Sequence, residues 1–324
     1  MRGFSILRSG LLALILVGVP FASNAAEVVI KFATEAAGDH IIIECAEYMK
    51  REIQKRTSGK VEFQIFPGSQ LGSQKAIMSG LRQGTHEMSL MASPIARLEP
   101  AYGVFEAPFL FSNHDEAKKV VKAVEADIRN RLLKKRIVLV AIGALGFRQI
   151  SNNIRPIIKP DDLKGLKLRT PDNPFRISVF KGFGANPTPM SFAEVYMALR
   201  QGVIDGQENP LGSIWGAKFY EVQKYISISN HVFTPNSLVV SKYIWDKWPK
   251  YVQDMVQDIG TYIMEWSFQR DIERDNTLRA KMEKYSKFNN IDSAAFKKMA
   301  VPMYQELKET VPDEIWGKTM ATLK

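Results

Sequence analysis

The chain has 324 residues, 45% of them hydrophobic and 24% charged, as expected for a globular protein of about two domains. This composition excludes a disordered chain, a collagen-like chain and a multi-span membrane protein. A single cysteine, Cys45, excludes both an intramolecular disulfide and a Cys-rich zinc site.

Arg2 and Arg8 flank a charged start, Leu11 to Phe21 is an almost unbroken apolar run, and Ser23-Asn24-Ala25 offers the small residues that signal peptidase requires. This three-part pattern predicts a secretory signal over 1–25 and an exported protein. The run is too short for a transmembrane helix, which needs roughly 20 apolar residues. Cleavage after Ala25 removes two arginines and no acid, so the formal charge falls from +10 to +8. That balance favours anionic partners. The basic residues are scattered rather than blocked, which argues against a nucleic-acid arm.

Val28 to Ala33 reads as a strand ending near Thr34-Glu35. His40 to Arg56 reads as a helix, because Ile42, Ala46, Met49 and Ile53 recur at helical spacing. Cys45 sits beside that face as a small hydrophobe. Val61, Phe63 and Ile65 alternate with polar residues in a half-buried strand that Pro67-Gly68 breaks. A helix over 73–83, a strand over 88–91, a helix marked by Ala117 to Leu132 and an apolar strand over 137–142 follow. This alternation predicts an α/β fold with substantially parallel sheets.

Gly143 to Pro160 changes texture and is expected to lead into a second domain. There Leu166 to Arg169 is a short strand, and Ser191 to Glu194 is a capping box opening a helix to about Gln201. Asn209 is placed as the cap, and Pro210 as the first residue, of a helix ending near Val222. From Pro249 to about Lys287 no proline interrupts a helical stripe. Such a helix is about 57 Å long, enough to brace two domains.

Chemistry-bearing motifs are absent. His40, His86, His114 and His231 fall in no metal spacing, there is no G-x-S-x-G elbow or P-loop, and Gly182-Phe183-Gly184 lacks the third glycine of a dinucleotide fingerprint. Arg169 ends a short strand, where open α/β sheets bind ligands. There it can present a two-pronged fork to a carboxylate, or lie on the surface. Arg148 lies just after the apolar strand at 137–142, flanked by Gly146 and Phe147, and has the same ambiguity; Asn209 is most simply a cap.

Several segments together resemble one family. They are Gly165 to Pro171 (GLKLRTP), Asn186 to Met190 (NPTPM), Glu194 to Pro210 (EVYMALRQGVIDGQENP) and Lys218 to Tyr225 (KFYEVQKY). Pro67 to Gly72 and Ala107 to Phe109 add weaker matches, so the likeness extends over 27–324. The chain resembles the DctP-type solute-binding proteins of tripartite ATP-independent periplasmic (TRAP) transporters. The resemblance implies a two-lobed clamshell, each lobe a mixed sheet flanked by helices. Lobe 1 would comprise 27–145 plus about 234–275, lobe 2 would comprise 146–233 plus about 288–324, and a helix over about 249–287 would span both.

The same resemblance implies that Arg169 clamps a ligand carboxylate, that Arg148 and Asn209 line the pocket, and that Phe192 packs on the ligand. Glu35 aligns with a pocket asparagine of the sialic-acid binders, while Ser73 and Ala92 stand where those proteins carry acids. Glu35 is then either a ligand group accepting from hydroxyls or an ammonium, or an exposed strand-end charge. The expected protein is a monomeric periplasmic carrier of a small organic carboxylate, preferably a sugar acid or hydroxy acid. It would have no cofactor, metal or nucleic-acid partner, and would deliver to TRAP permease subunits. A sensor module sharing the fold, and a secreted enzyme acting on an anionic substrate, are the alternatives.

Overall fold

A computed structural model describes residues 26–324, and the signal predicted over 1–25 lies outside the described residues. The first half of the chain runs β1 (Val28–Ala33), α1 (Ile41–Thr57), β2 (Val61–Phe66), α2 (Gln74–Gln83), β3 (Met88–Met91), α3 (His114–Leu133) and β4 (Ile137–Asn152). Next come β5 (Lys167–Thr170), α4 (Pro174–Gly182), β6 (Asn186–Pro189), α5 (Val195–Arg200), β7 (Gly206–Pro210), α6 (Leu211–Gly216), β8 (Tyr225–Ile228) and β9 (Phe233–Ser241). The chain closes with α7 (Lys242–Trp245), α8 (Lys250–Met282), β10 (Lys287–Asn290), α9 (Ser293–Ala300), α10 (Met303–Thr310) and α11 (Asp313–Thr322).

The strands join in the order β2-β1-β3-β9-β4-β7-β5-β6, with β8 on β4 and β10 on β8. β1, β2 and β3 are parallel, as the alternation of strand and helix predicts, while β9 runs antiparallel to β3 and β4. β4 is the shared element of the two lobes. Its first part, from Ile137, pairs with β9, and its last part, Arg148 to Asn152, pairs with β7 and β8.

The strand expected over 137–142 therefore continues to Asn152, 16 residues in all. Gly143 and Gly146 read as a break because they lack side chains, but α8 requires them. A Cβ on Gly143 would stand 2.3 Å from the Ser267 hydroxyl, and one on Gly146 would stand 2.3 Å from the Asp271 carboxylate. The sheet backbone and the helix meet there, and Ser267 accepts the amide proton of Ala144 at 2.8 Å.

α8 has 33 residues, about 50 Å. Val252 to Met264 pack in the lobe-1 core with α1, while Leu278 and Met282 pack in the lobe-2 core with Leu211 and Phe219. The predicted bridging helix is present but ends at Met282, because Lys287–Asn290 is used as a strand against β8. Helix α9 adds Phe296 and Ala300 to lobe 2. Of the last two helices, both expected with lobe 2, α10 packs on both lobes, Met303 against the core with Val179 and Phe180 and Leu307 against that of α3, while α11 places Ile315 in the core with Val121 and Val124 of α3.

Two other expectations are corrected. Asn209 caps no helix, because Gly206–Pro210 is a strand hydrogen-bonded to β4 and β5. Pro210 ends that strand, where a missing N–H is tolerated, and α6 begins only at Leu211 and stops at Gly216. The capping box at Ser191 and Glu194 forms as read, but it opens one 3₁₀ turn before the short α5.

Candidate functional site

The lobes enclose a cavity of about 490 Å³. Glu35, Arg148, Arg169, Phe192 and Asn209, the five residues singled out from the sequence, all line it. They arrive on different elements: Glu35 just after β1, Arg148 on β4, Arg169 on β5, Phe192 in the turn before α5, and Asn209 on β7.

Arg169 is 3% exposed. Its Nε and Nη2 both donate to the Met190 carbonyl, at 3.1 and 2.7 Å, which fixes the plane of the guanidinium. Phe192 lies under it, with 5.9 Å from guanidinium carbon to ring centre. Among the described residues no carboxylate pairs with Arg169, and its Nη1 makes no hydrogen bond within the protein. Burial, with repulsion from Arg148, lowers it from 12.5 to about 10, so it remains a cation at neutral pH. A buried arginine with its terminal edge open is an anion receptor.

Arg148 is differently placed. Its Nε lies 2.5 Å from one Glu208 oxygen, and its Nη2 lies 3.0 Å from the other and 2.9 Å from Asn209 Oδ1. Arg176 donates to the same Glu208 oxygen at 2.6 Å and to Glu106 at 2.8 Å through Nε and 2.5 Å through Nη2. His231 Nε2 stands 3.1 Å from Glu208. Burial alone would raise the Glu208 carboxyl, but Arg148, Arg176 and His231 hold it well below the usual carboxylate range. Two arginines and two carboxylates cancel, so this core network positions the cleft wall and adds no free charge to it. It also crosses the lobes, because Glu106 and Ser93 belong to lobe 1 and Arg176 to lobe 2; Ser93 donates to Glu106 at 3.0 Å.

Asn209 is held by Arg148 on its oxygen and donates one amide proton to Gln207 at 2.5 Å, which leaves the second amide proton free. Glu35 is buried rather than an exposed strand end, and one of its oxygens accepts from Ser191 across the cleft at 3.0 Å. Ser73 and Ala92 also line the cavity, Ser73 as the cap of α2. At the cavity edge Arg97 of lobe 1 faces Asp172 of lobe 2 at 3.4 Å.

Sequence reasoning did not find Arg176, Glu106 or Glu208 as a unit, nor the place of His40 in the cavity wall. Glu208 lies inside the quoted QENP run, so that motif carried part of the signal. Arg176 opens a short helix after Asn173-Pro174 and looks like a surface residue until α4 is packed. His40 opens α1, as the helical periodicity implied, and its Nδ1 accepts the Ile42 amide proton at 3.1 Å.

The two buried histidines set an acid limit to stability. Burial, before any charge effect, lowers both His40 and His231 from 6.5 to about 4. The folded state therefore keeps them neutral where the unfolded chain binds protons. Their contribution is complete above about pH 6.5 and is lost as pH falls toward 4, on the order of 3 kcal/mol each. Thermal unfolding should show a melting temperature steady from pH 7 to 8 that falls steeply below pH 6. A flat profile down to pH 4.5 would contradict this assignment.

Residues 32–310 match the profile of the bacterial extracellular solute-binding proteins, family 7. The chain belongs to that family. It is 40% identical over 216 residues to the 2,3-diketo-L-gulonate-binding periplasmic protein YiaO of Escherichia coli, a match covering 65% of this chain and 66% of that one. A TRAP periplasmic solute-binding protein from Haemophilus influenzae, solved with L-gulonate, superposes with a TM-score of 0.83 at 33% identity, over 92% of this chain and all of the other. One from Sulfurospirillum deleyianum, solved with succinate, gives a TM-score of 0.88 at 29% identity, again over 92% of this chain and all of the other. The family's members are solute-binding components of TRAP transporters, and this solute-binding protein is one of them rather than an enzyme. Among the described residues no helix is long and apolar enough to cross a membrane.

Proposed function

We propose that this solute-binding protein captures a small hydroxylated monocarboxylate, a sugar acid or hydroxy acid, in the periplasm and hands it to TRAP permease subunits. The observation that carries the reading is the state of Arg169: buried, charged, oriented by Met190 and, among the described residues, without a carboxylate partner. Arg169 takes the carboxylate, Phe192 supports it, Asn209 donates to a nearby oxygen, and Glu35 accepts from ligand hydroxyls. Arg148 acts through Asn209 and Glu208 and not as a second anion clamp.

Relatives named for gulonate derivatives and for succinate both exist. The charges in the cleft favour the first kind. With Arg148 cancelled by Glu208, Arg169 is, among the described residues, the one buried cation of the cavity wall left open, Lys75 lining the cavity as an exposed side chain, and Glu35 opposes a second anionic group. Export through the signal over 1–25 and action as a monomer, without nucleic acid, complete the proposal.

The hinge is assigned to the crossings near 145/146 on β4 and 233/234 on β9, where α8 runs against Gly146. A ligand that touches both lobes favours the closed state by its differential affinity. Small-angle scattering should give a smaller radius of gyration with a saturating aldonate than without. Trp215, whose indole donates to Asp39 across the lobes at 2.8 Å, should report the same transition by fluorescence. An unchanged radius at saturation would contradict closure.

A further inference from the structure

The cavity wall holds a second polar element away from Arg169, built from one residue of each lobe. His40 caps α1 in lobe 1, and Ser213 lies on α6 in lobe 2; both line the cavity and both are buried, His40 4% and Ser213 2% exposed. Their side chains meet at 3.1 Å between Nε2 and Oγ.

The direction of this hydrogen bond follows from the other ring nitrogen. Nδ1 of His40 accepts the Ile42 amide proton, so in the neutral ring Nε2 must carry the hydrogen. His40 therefore donates to Ser213 Oγ. The serine hydroxyl proton is not needed for that contact, and among the described residues it reaches no protein acceptor. Ser213 lines the cavity, where a bound solute can take that proton. The interlobe fit around the pair is tight: a Cβ on Gly216 would stand 3.1 Å from both the Asp39 carbonyl and the His40 Cβ. Asp39 is itself tied to Arg274 of α8 at 2.8 Å. The imidazole is thus held from behind, and the hydroxyl from the side.

We propose that Ser213 is a specificity-determining residue that donates its hydroxyl proton to an oxygen of the bound solute, with His40 as the positioning residue that fixes it as a donor. The inference rests on the reading of the cleft as a sugar-acid site and names a group that reads the polyol part. Glu35 accepts and Ser213 donates, so the cleft offers both halves of what a hydroxyl requires. An ammonium has hydrogens to give and no lone pair to receive one, so it satisfies Glu35 and leaves Ser213 without a partner. The pair therefore selects hydroxy acids over zwitterions of the same size. Because the two residues come from opposite lobes, the donor is set only when the lobes meet.

The test is a double-mutant cycle by calorimetry with Ser213→Ala, His40→Asn and the double variant. Asparagine keeps a cap acceptor for the Ile42 amide but is too short to reach Ser213. The probe is whichever of L-gulonate, D-galactonate, D-gluconate and D-erythronate binds the unaltered protein most tightly. Ser213→Ala should weaken that aldonate about 5- to 10-fold, the range of one neutral hydrogen bond. His40→Asn should weaken it to a similar extent, and the double variant no more than about twofold further, with Ser213→Ala melting near the unaltered protein. Binding by Ser213→Ala within twofold of the unaltered protein, or losses that multiply in the double variant, would overturn the proposal. If Ser213→Ala loses affinity while Arg169 variants do not, the carboxylate anchor fails and this donor stands. If none of the four aldonates binds the unaltered protein, both readings fall.

Discussion

Arg169→Ala should bind the solute roughly 100-fold more weakly or worse, with the protein still folded. Removing one partner of a buried, charge-assisted pair costs about 3–5 kcal/mol. The variant breaks no ion pair, because among the described residues no carboxylate lies within salt-bridge distance of Arg169. Its removal relieves the burial that lowers its ionisation toward about 10. Without ligand, Arg169→Met should therefore melt no lower than the unaltered protein, while binding is lost. Arg169→Lys keeps a charge but cannot rest on the Met190 carbonyl and present two parallel donors at once. Calorimetry giving near wild-type affinity for Arg169→Lys would defeat the two-pronged contact.

Glu208→Gln should have the largest effect on the fold itself. The carboxylate is fully buried and receives Arg148, Arg176 and His231 together. The amide is nearly isosteric but neutral, so two buried guanidinium groups then share only Glu106. The loss is about 3–5 kcal/mol, a fall in melting temperature on the order of 10 °C for a chain of this size. The sign with pH follows from the depressed carboxyl: its contribution is present above the ordinary glutamate range and lost only as pH falls through the lower folded value. At pH 7 the full penalty of the variant should appear in thermal unfolding. A melting temperature within 2 °C of the unaltered protein would show that the network is not a stabilising core.

Local pattern carried much of this fold. The stripe Ile42, Ala46, Met49 and Ile53 specified α1, and the alternation at Val61, Phe63 and Ile65 specified β2, because each buries one face against a single layer. The pattern failed where an element answers to a distant partner. β4 is read as ending at Ile142 because its glycines serve the approach of α8, which lies more than a hundred residues later. Gly206–Pro210 looks like a helix start because Asn-Pro is a strong local signal, yet β4 on one side and β5 on the other hold it as a strand. C-terminal helices carry no mark of which lobe they cover, since Leu307 and Val311 would suit any apolar surface.

The site divides in the same way. Arg169 and Asn209 sit in ordered runs that carry the family resemblance, Phe192 falls between two of those runs, and all three line the cavity. The function of Arg148 in the network was hidden, because only the folded chain brings Glu208 and Arg176 to it. Ser213 had no signal at all: a serine in a short helix acquires meaning from His40, 173 positions away in sequence.

The central claim is that one open arginine facing one carboxylate selects a hydroxylated monocarboxylate. It is tested most directly by competition calorimetry with the purified protein, pitting four- to six-carbon aldonates and uronates against succinate and L-serine. The expected order places an aldonate or uronate first, L-serine well behind it, and succinate last, because its second carboxylate meets Glu35. Succinate displacing every sugar acid in the set would contradict the account.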